Sequence, residues 1–140
     1  MAKAPPFNGL IRREVMNWMW LHLITVLMAA VLGAWVLLRP KGGLWHRRLG
    51  RVYVVLMMLA SASSLMLPAQ VGPQLWLHFG FIHLLSIFVL LAMPAAIWAA
   101  RQGLYRVHRG LMLGNYIGGI GVAGILAALL PGRFLHGLLF

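Results

Sequence analysis

Four apolar runs, broken by short polar turns, set the rhythm of the chain: Val15 to Leu38, Trp45 to Leu67, Leu75 to Ala100 and Val107 to Leu130. Each approaches or exceeds the twenty or so residues that cross a hydrocarbon core of about 30 Å. Turn residues sit between them, at Arg39-Pro-Lys-Gly-Gly43, Pro68 to Pro73, Arg101-Gln-Gly103 and Pro131-Gly-Arg133. Lipid offers no partner to a free backbone N–H or C=O, so runs of this length are expected to be helices. The pattern therefore predicts an all-α protein, an integral membrane four-helix bundle. Residues 1–14 form an N-terminal segment, 15–130 the transmembrane domain and 131–140 a C-terminal tail. The first run is too long for the apolar region of a signal peptide, and no small-residue cleavage site follows it, so it is expected to stay in the mature protein.

Composition sharpens this picture. Of 140 residues 62% are hydrophobic, and the charged residues are 12 Lys and Arg against a single acidic one, 9% in all. An ordinary soluble domain carries about 25%, so a soluble enzyme is excluded. The absence of Cys removes disulfides, thiolate metal sites and Cys nucleophiles. The net charge of +11 does not point to nucleic acid, because the cations fall in short clusters beside apolar runs. No nucleic-acid partner is expected, and the lipid bilayer is. Arg39, Lys41, Arg47, Arg48, Arg51, Arg101, Arg106 and Arg109 lie on one side of the bundle; Lys3, Arg12, Arg13 and Arg133 lie on the other. The excess on the first side makes it cytoplasmic, which places both termini in the periplasm of a multi-pass inner-membrane protein. The six Trp (18, 20, 35, 45, 76 and 98) read as interfacial anchors.

A two-helix unit occurs twice. His22-Leu-Ile-Thr25 matches His83-Leu-Leu-Ser86, Trp35 matches Trp98 and Arg39 matches Arg101. Trp45-His-Arg47 then matches Val107-His-Arg109, and Tyr53 matches Tyr116. Two spans per unit make the copies parallel, related by an axis along the membrane normal. Counted from helix starts at Val15 and Trp76, His22 and His83 share one depth near the outer face. His46 and His108 share another at the inner face, about 24 Å away at the rise of an α-helix.

Intramembrane ionisable groups mark functional sites by default. Each equal-depth pair could grip one flat macrocycle between diagonal helices, with iron held by two imidazoles. An outer haem b would use His22 and His83 and an inner one His46 and His108, with Arg47, Arg51 and Arg109 against the propionates. The plainer readings are satisfied core histidines at 22 and 83, interfacial ones at 46 and 108, and surface ones at His78 and His136. Lone Glu14 cannot supply a carboxylate pair for acid-base catalysis. Two separated imidazole pairs make poor closed sites for Cu or Zn. Gly110, Gly114 and Gly118 have the spacing of close helix contact in lipid, or of a surface against which a cofactor or lipid tail lies.

Gly42-Gly-Leu-Trp-His-Arg-Arg-Leu-Gly-Arg-Val-Tyr53, Phe81-Ile-His-Leu-Leu-Ser86, His108-Arg-Gly-Leu-Met-Leu-Gly-Asn-Tyr116 and Leu130-Pro-Gly-Arg133 resemble a bacterial family of small four-helix predicted membrane proteins of unknown function. That resemblance implies the fold and no activity. The layering of the four histidines also resembles the transmembrane di-haem b-type cytochromes, including ascorbate-reducible ones and quinol-linked superoxide oxidases. This second resemblance implies one or two haems b, a quinone as electron partner and electron transfer across the bilayer. Two other functions remain open: an accessory subunit of a larger respiratory or photosynthetic membrane complex, and a small transporter or lipid-binding module.

Overall fold

A computed structural model of the chain describes residues 7–68, 74–76 and 79–129. Among these, α1 runs Phe7–Leu38, α2 Leu44–Ser64, α3 Phe81–Arg101, α4 Tyr105–Asn115 and α5 Ala123–Leu129. A π-helical segment, Tyr116–Val122, joins α4 to α5 with helical backbone angles at both junctions, so the three pieces form the fourth rod of the bundle. α1 packs on α2, α2 on α3 and α3 on α4, and the π segment closes the ring against α1. α1 and α3 are each long and apolar enough to cross a membrane. The molecule is an integral membrane four-helix bundle made of two parallel two-helix units.

Small residues bring the helices together. Ala29, Ala60, Ala92, Ala96 and Ala99 are buried at the contacts, with Val89 and Met93 filling the space beside them. Without a hydrophobic drive between helices in lipid, close van der Waals approach of this kind holds a bundle together. Large apolar side chains point outward instead: Leu27, Val31, Leu38 and Leu91 are all more than half exposed. In water such a surface would aggregate, whereas against lipid tails it is the solvated state. Trp18, Trp20, Trp35, Trp45 and Trp98 are likewise exposed.

The two inner turns use the same device. Gly42 and Gly103 adopt φ of 85° and 75°, a left-handed conformation that disfavours any residue with a Cβ. At Gly103 this closes α3, with Leu104 N–H donating to Ala99 O at 2.9 Å. At the end of α1, Lys41 Nζ donates to the carbonyls of Val36 and Arg39 at 3.1 and 2.8 Å, and to that of Leu37.

Two helix starts differ from those read in the apolar pattern. α1 begins at Phe7, ahead of Val15, so residues Phe7 to Glu14 add about two helical turns before the apolar run. α3 begins at Phe81 and not at Leu75. Gln74–Trp76 and Phe79–Gly80 form a short antiparallel pair instead, and Gly80 is extended (φ −131°, ψ −177°) at the N-cap. Hydropathy alone does not separate a short apolar strand from a helical turn. Residues 131–140, His78 and His136 lie outside the described residues.

Candidate functional site

His22 and His83 line one cavity toward one end of the bundle, and His46 and His108 stand at the starts of α2 and α4 at the other. At the outer end, His22 of α1 and His83 of α3 line one half-open cavity of about 300 Å³ between α1, α2, α3, the π segment and α5. They meet there although they are not equally far into their helices: His83 is in the first turn of α3, while His22 lies deep in α1. The depth count from Val15 and Trp76 is thus replaced by convergence on a shared space.

The two rings are held differently. His22 Nδ1–H donates to Ala60 O at 2.8 Å, which leaves Nε2 with its lone pair. An imidazole oriented through Nδ1 to a carbonyl is the arrangement seen in metal-binding histidines. His83 is 3% exposed, and both its nitrogens serve the backbone. Nδ1 accepts from Gly80 N–H at 3.0 Å and Nε2–H donates to Leu67 O at 3.0 Å. His83 thereby takes the place of the Glu or Gln of a capping box, satisfying the amide that precedes α3. Iron on Nε2 would force the proton onto Nδ1, where it would oppose the Gly80 N–H. As held here, His83 does not fit the role of iron ligand, so an outer haem between His22 and His83 is unsupported by the donor set.

At the inner end, His108 of α4 repeats the His22 arrangement, with Nδ1–H donating to Ala96 O of α3 at 2.9 Å and Nε2 left with its lone pair. His46, near the start of α2, stands at the same end of the bundle as His108 and Lys41. Its Nδ1 is buried and has no hydrogen-bond partner among the described residues. Two more buried polar atoms of this half, Tyr53 Oη and Asn115 Oδ1, share that condition. Each lies seven residues beyond a histidine, Tyr53 beyond His46 and Asn115 beyond His108, hence on the same face two turns on. Buried unpartnered polar atoms are uncommon and call for a ligand or an internal water. Of the two imidazoles at the inner end, His108 is already in the ligand tautomer, and His46 could take the same one with an internal water on its Nδ1–H, a donor set compatible with haem. Arg47, Arg51 and Arg109 are exposed at the same end, free to reach carboxylates.

Between the layers, Tyr53 and Tyr116, matched in the repeat, face each other with ring centroids 6.5 Å apart. Tyr116 OH donates to Ala30 O at 3.0 Å. Gly33 of α1 lies against both rings; a Cβ there would meet Tyr116 at 2.6 Å and Tyr53 at 2.8 Å. At Gly110, Gly114 and Gly118, the row picked out by the sequence spacing, an added Cβ meets nothing within 4 Å, so among the described residues they do not mediate helix contact. The signal for Gly33 was present, an isolated glycine in a long apolar helix. Among the described residues no group of three or more His, Asp or Glu is placed to hold a bare metal ion.

Fold and composition together define a small helical-bundle membrane protein. More narrowly, the chain belongs to the family of predicted membrane proteins DUF2306, which it matches over residues 19–137. Neither the curated proteins nor the solved structures give a match.

Proposed function

We propose that the protein is a b-type cytochrome of the bacterial inner membrane, which holds one haem b between His46 and His108 and passes electrons through it. The observation that carries this reading is that His108 is fixed through Nδ1 to Ala96 O, which leaves Nε2 for iron, with a second imidazole, His46, at the same end of the bundle. When bound, haem would supply a one-electron centre, low-spin under two imidazoles. The chain's own residues do the rest. Ala96 O orients the His108 ring and keeps the proton on Nδ1, and Arg47, Arg51 and Arg109 offer guanidinium groups to propionates. In this reading all four rods cross the bilayer, with the arginine-rich turns in the cytoplasm and both termini in the periplasm. A quinone is the proposed electron partner.

An absorption spectrum of the full chain, purified in detergent after expression with ample haem precursor, tests the proposal. A Soret band and a reduced α band are expected, lost in His46→Ala and in His108→Ala. They are expected to persist in His83→Gln, in which the amide oxygen can still accept from Gly80 N–H. A colourless protein overturns the reading, and so does a band that survives both inner substitutions.

The open row Gly110, Gly114 and Gly118 favours a second reading, an accessory subunit of a larger membrane complex. It is a strip suited to close helix contact that none of the described helices covers. Co-purification with respiratory or photosynthetic subunits at fixed stoichiometry, with no intrinsic absorbance, is the result that supports it.

A further inference from the structure

The outer cavity is left without a role once His83 is seen to be a helix cap. Its walls are apolar, with Met19, Val26, Met57 and Val89 among them. Its size is at the low end for small-molecule sites. Most of its side-chain hydrogens are already committed. Ser64 Oγ donates to Ser61 O at 2.8 Å, so in the Ser64–Ser86 pair, 2.6 Å apart, Ser86 gives its hydrogen to Ser64. His22 gives its Nδ1 hydrogen to Ala60 O, and His83 gives its Nε2 hydrogen to Leu67 O. Ser64 and Ser86 answer each other, and the ring acceptor that no described group meets is the lone pair of His22 Nε2. Ser61, the residue after Ala60 on α2, also lines the cavity and brings a hydroxyl that gives or accepts. A ligand hydroxyl answers both, donating to Nε2 and accepting from Ser61, whereas a carbonyl or ether oxygen answers only Ser61.

We propose that this cavity binds a lipid-soluble molecule bearing a ring hydroxyl, of the hydroquinone class, through a hydrogen bond from that hydroxyl to His22 Nε2. A hydroquinone presents a hydroxyl on a flat apolar ring, and its alkyl tail is at home in lipid. Such a site discriminates by donor count. The oxidised quinone leaves the Nε2 lone pair unmet in an apolar surround, and sites built around a ligand hydroxyl reject analogues that lack it. The inference does not depend on haem, since the cavity and its donors belong to the outer end.

Calorimetric titration of the full chain in nanodiscs under reducing, oxygen-free conditions tests it. The probes are 2,3-dimethoxy-5-methyl-6-decylhydroquinone, its dimethyl ether, the corresponding benzoquinone and dioctanoylglycerol. The hydroquinone is expected to bind at least about tenfold more tightly than the other three. His22→Phe should remove that preference. Because His22 also ties α1 to α2, a second variant guards against a folding defect. Gly124 lines the cavity, and a Cβ there meets nothing within 4 Å, so Gly124→Leu fills the space without a first clash. It should lower hydroquinone affinity at least about tenfold while circular dichroism stays unchanged. Equal affinity for the hydroquinone, its ether and the quinone overturns the proposal. Hydroquinone binding undiminished by Gly124→Leu does so too, and tighter binding of dioctanoylglycerol would assign the cavity to a lipid alcohol instead.

Discussion

Glycines that look alike in the sequence do opposite things in this protein. Gly33 has no room for even a methyl group, because the Tyr53 and Tyr116 rings lie where its Cβ would be. Tyr116 cannot retreat without giving up its bond to Ala30 O, and Tyr53 is 2% exposed. Gly33→Ala should therefore destabilise the bundle by about 1–3 kcal/mol, the usual cost of overpacking. Gly114→Ala, in open space, should leave stability unchanged or raise it by up to about 1 kcal/mol through helix propensity. Unfolding midpoints of the two variants in the same detergent check the contrast, and equal midpoints would remove the packing account. The histidines divide in the same way. His22 and His108 each give Nδ1–H to a carbonyl of a neighbouring helix, whereas His83 spends both nitrogens on backbone. No feature of the matched motifs His-Leu-Ile-Thr and His-Leu-Leu-Ser tells these fates apart. What differs is that Gly80 is extended one turn before His83, while α1 is already helical for many residues before His22.

Helix ends carry most of the difference between the apolar pattern and the elements formed. A helix stops where its last carbonyls find other donors. For α3 these come from the backbone turn at Gly103, and for α1 from a side chain, Lys41. Lys41 also places its charge at the negative end of the α1 dipole, so Lys41→Met should cost about 0.3–1 kcal/mol locally. Faster amide hydrogen exchange in the last turn of α1, with the exchange of α3 unchanged, is the expected result; an unchanged α1 end would show the cap to be idle. The π segment is the other departure from regularity. Its Gly119, together with Gly124 of α5, forms part of the wall of the outer cavity, where a larger side chain would take up space. Among the described residues it is where the second repeat unit stops resembling the first, whose α2 is regular through Ser64.

At the scale of the whole molecule, the charge asymmetry becomes a statement about orientation. The turn bearing Arg39 and Lys41 and the turn bearing Arg101 lie at the same end of the bundle as the starts of α2 and α4, where Arg47, Arg51 and Arg109 are exposed. With no native Cys, single cysteines report sidedness without background. Gly43 and Gly9 both have open space around them. Gly43→Cys should react with an impermeant maleimide only in inverted vesicles, and Gly9→Cys only in intact spheroplasts; the reverse pattern would turn the proposed topology over.

The apolar runs and the turns at Arg39 to Gly43 and Arg101 to Gly103 were legible because lipid solvation and helix length act on composition, which is local. The repeat likewise foretold that Tyr53 and Tyr116 occupy equivalent places, and they meet at the centre of the bundle. Three things required the packed chain: where α3 starts, which glycines touch a neighbour and which ring nitrogens are spent. Each depends on what lies across a contact, such as Leu67 O above His83 or Ala96 O beside His108. Residues far apart along the chain supply those partners, and hydrophobic periodicity carries no record of them.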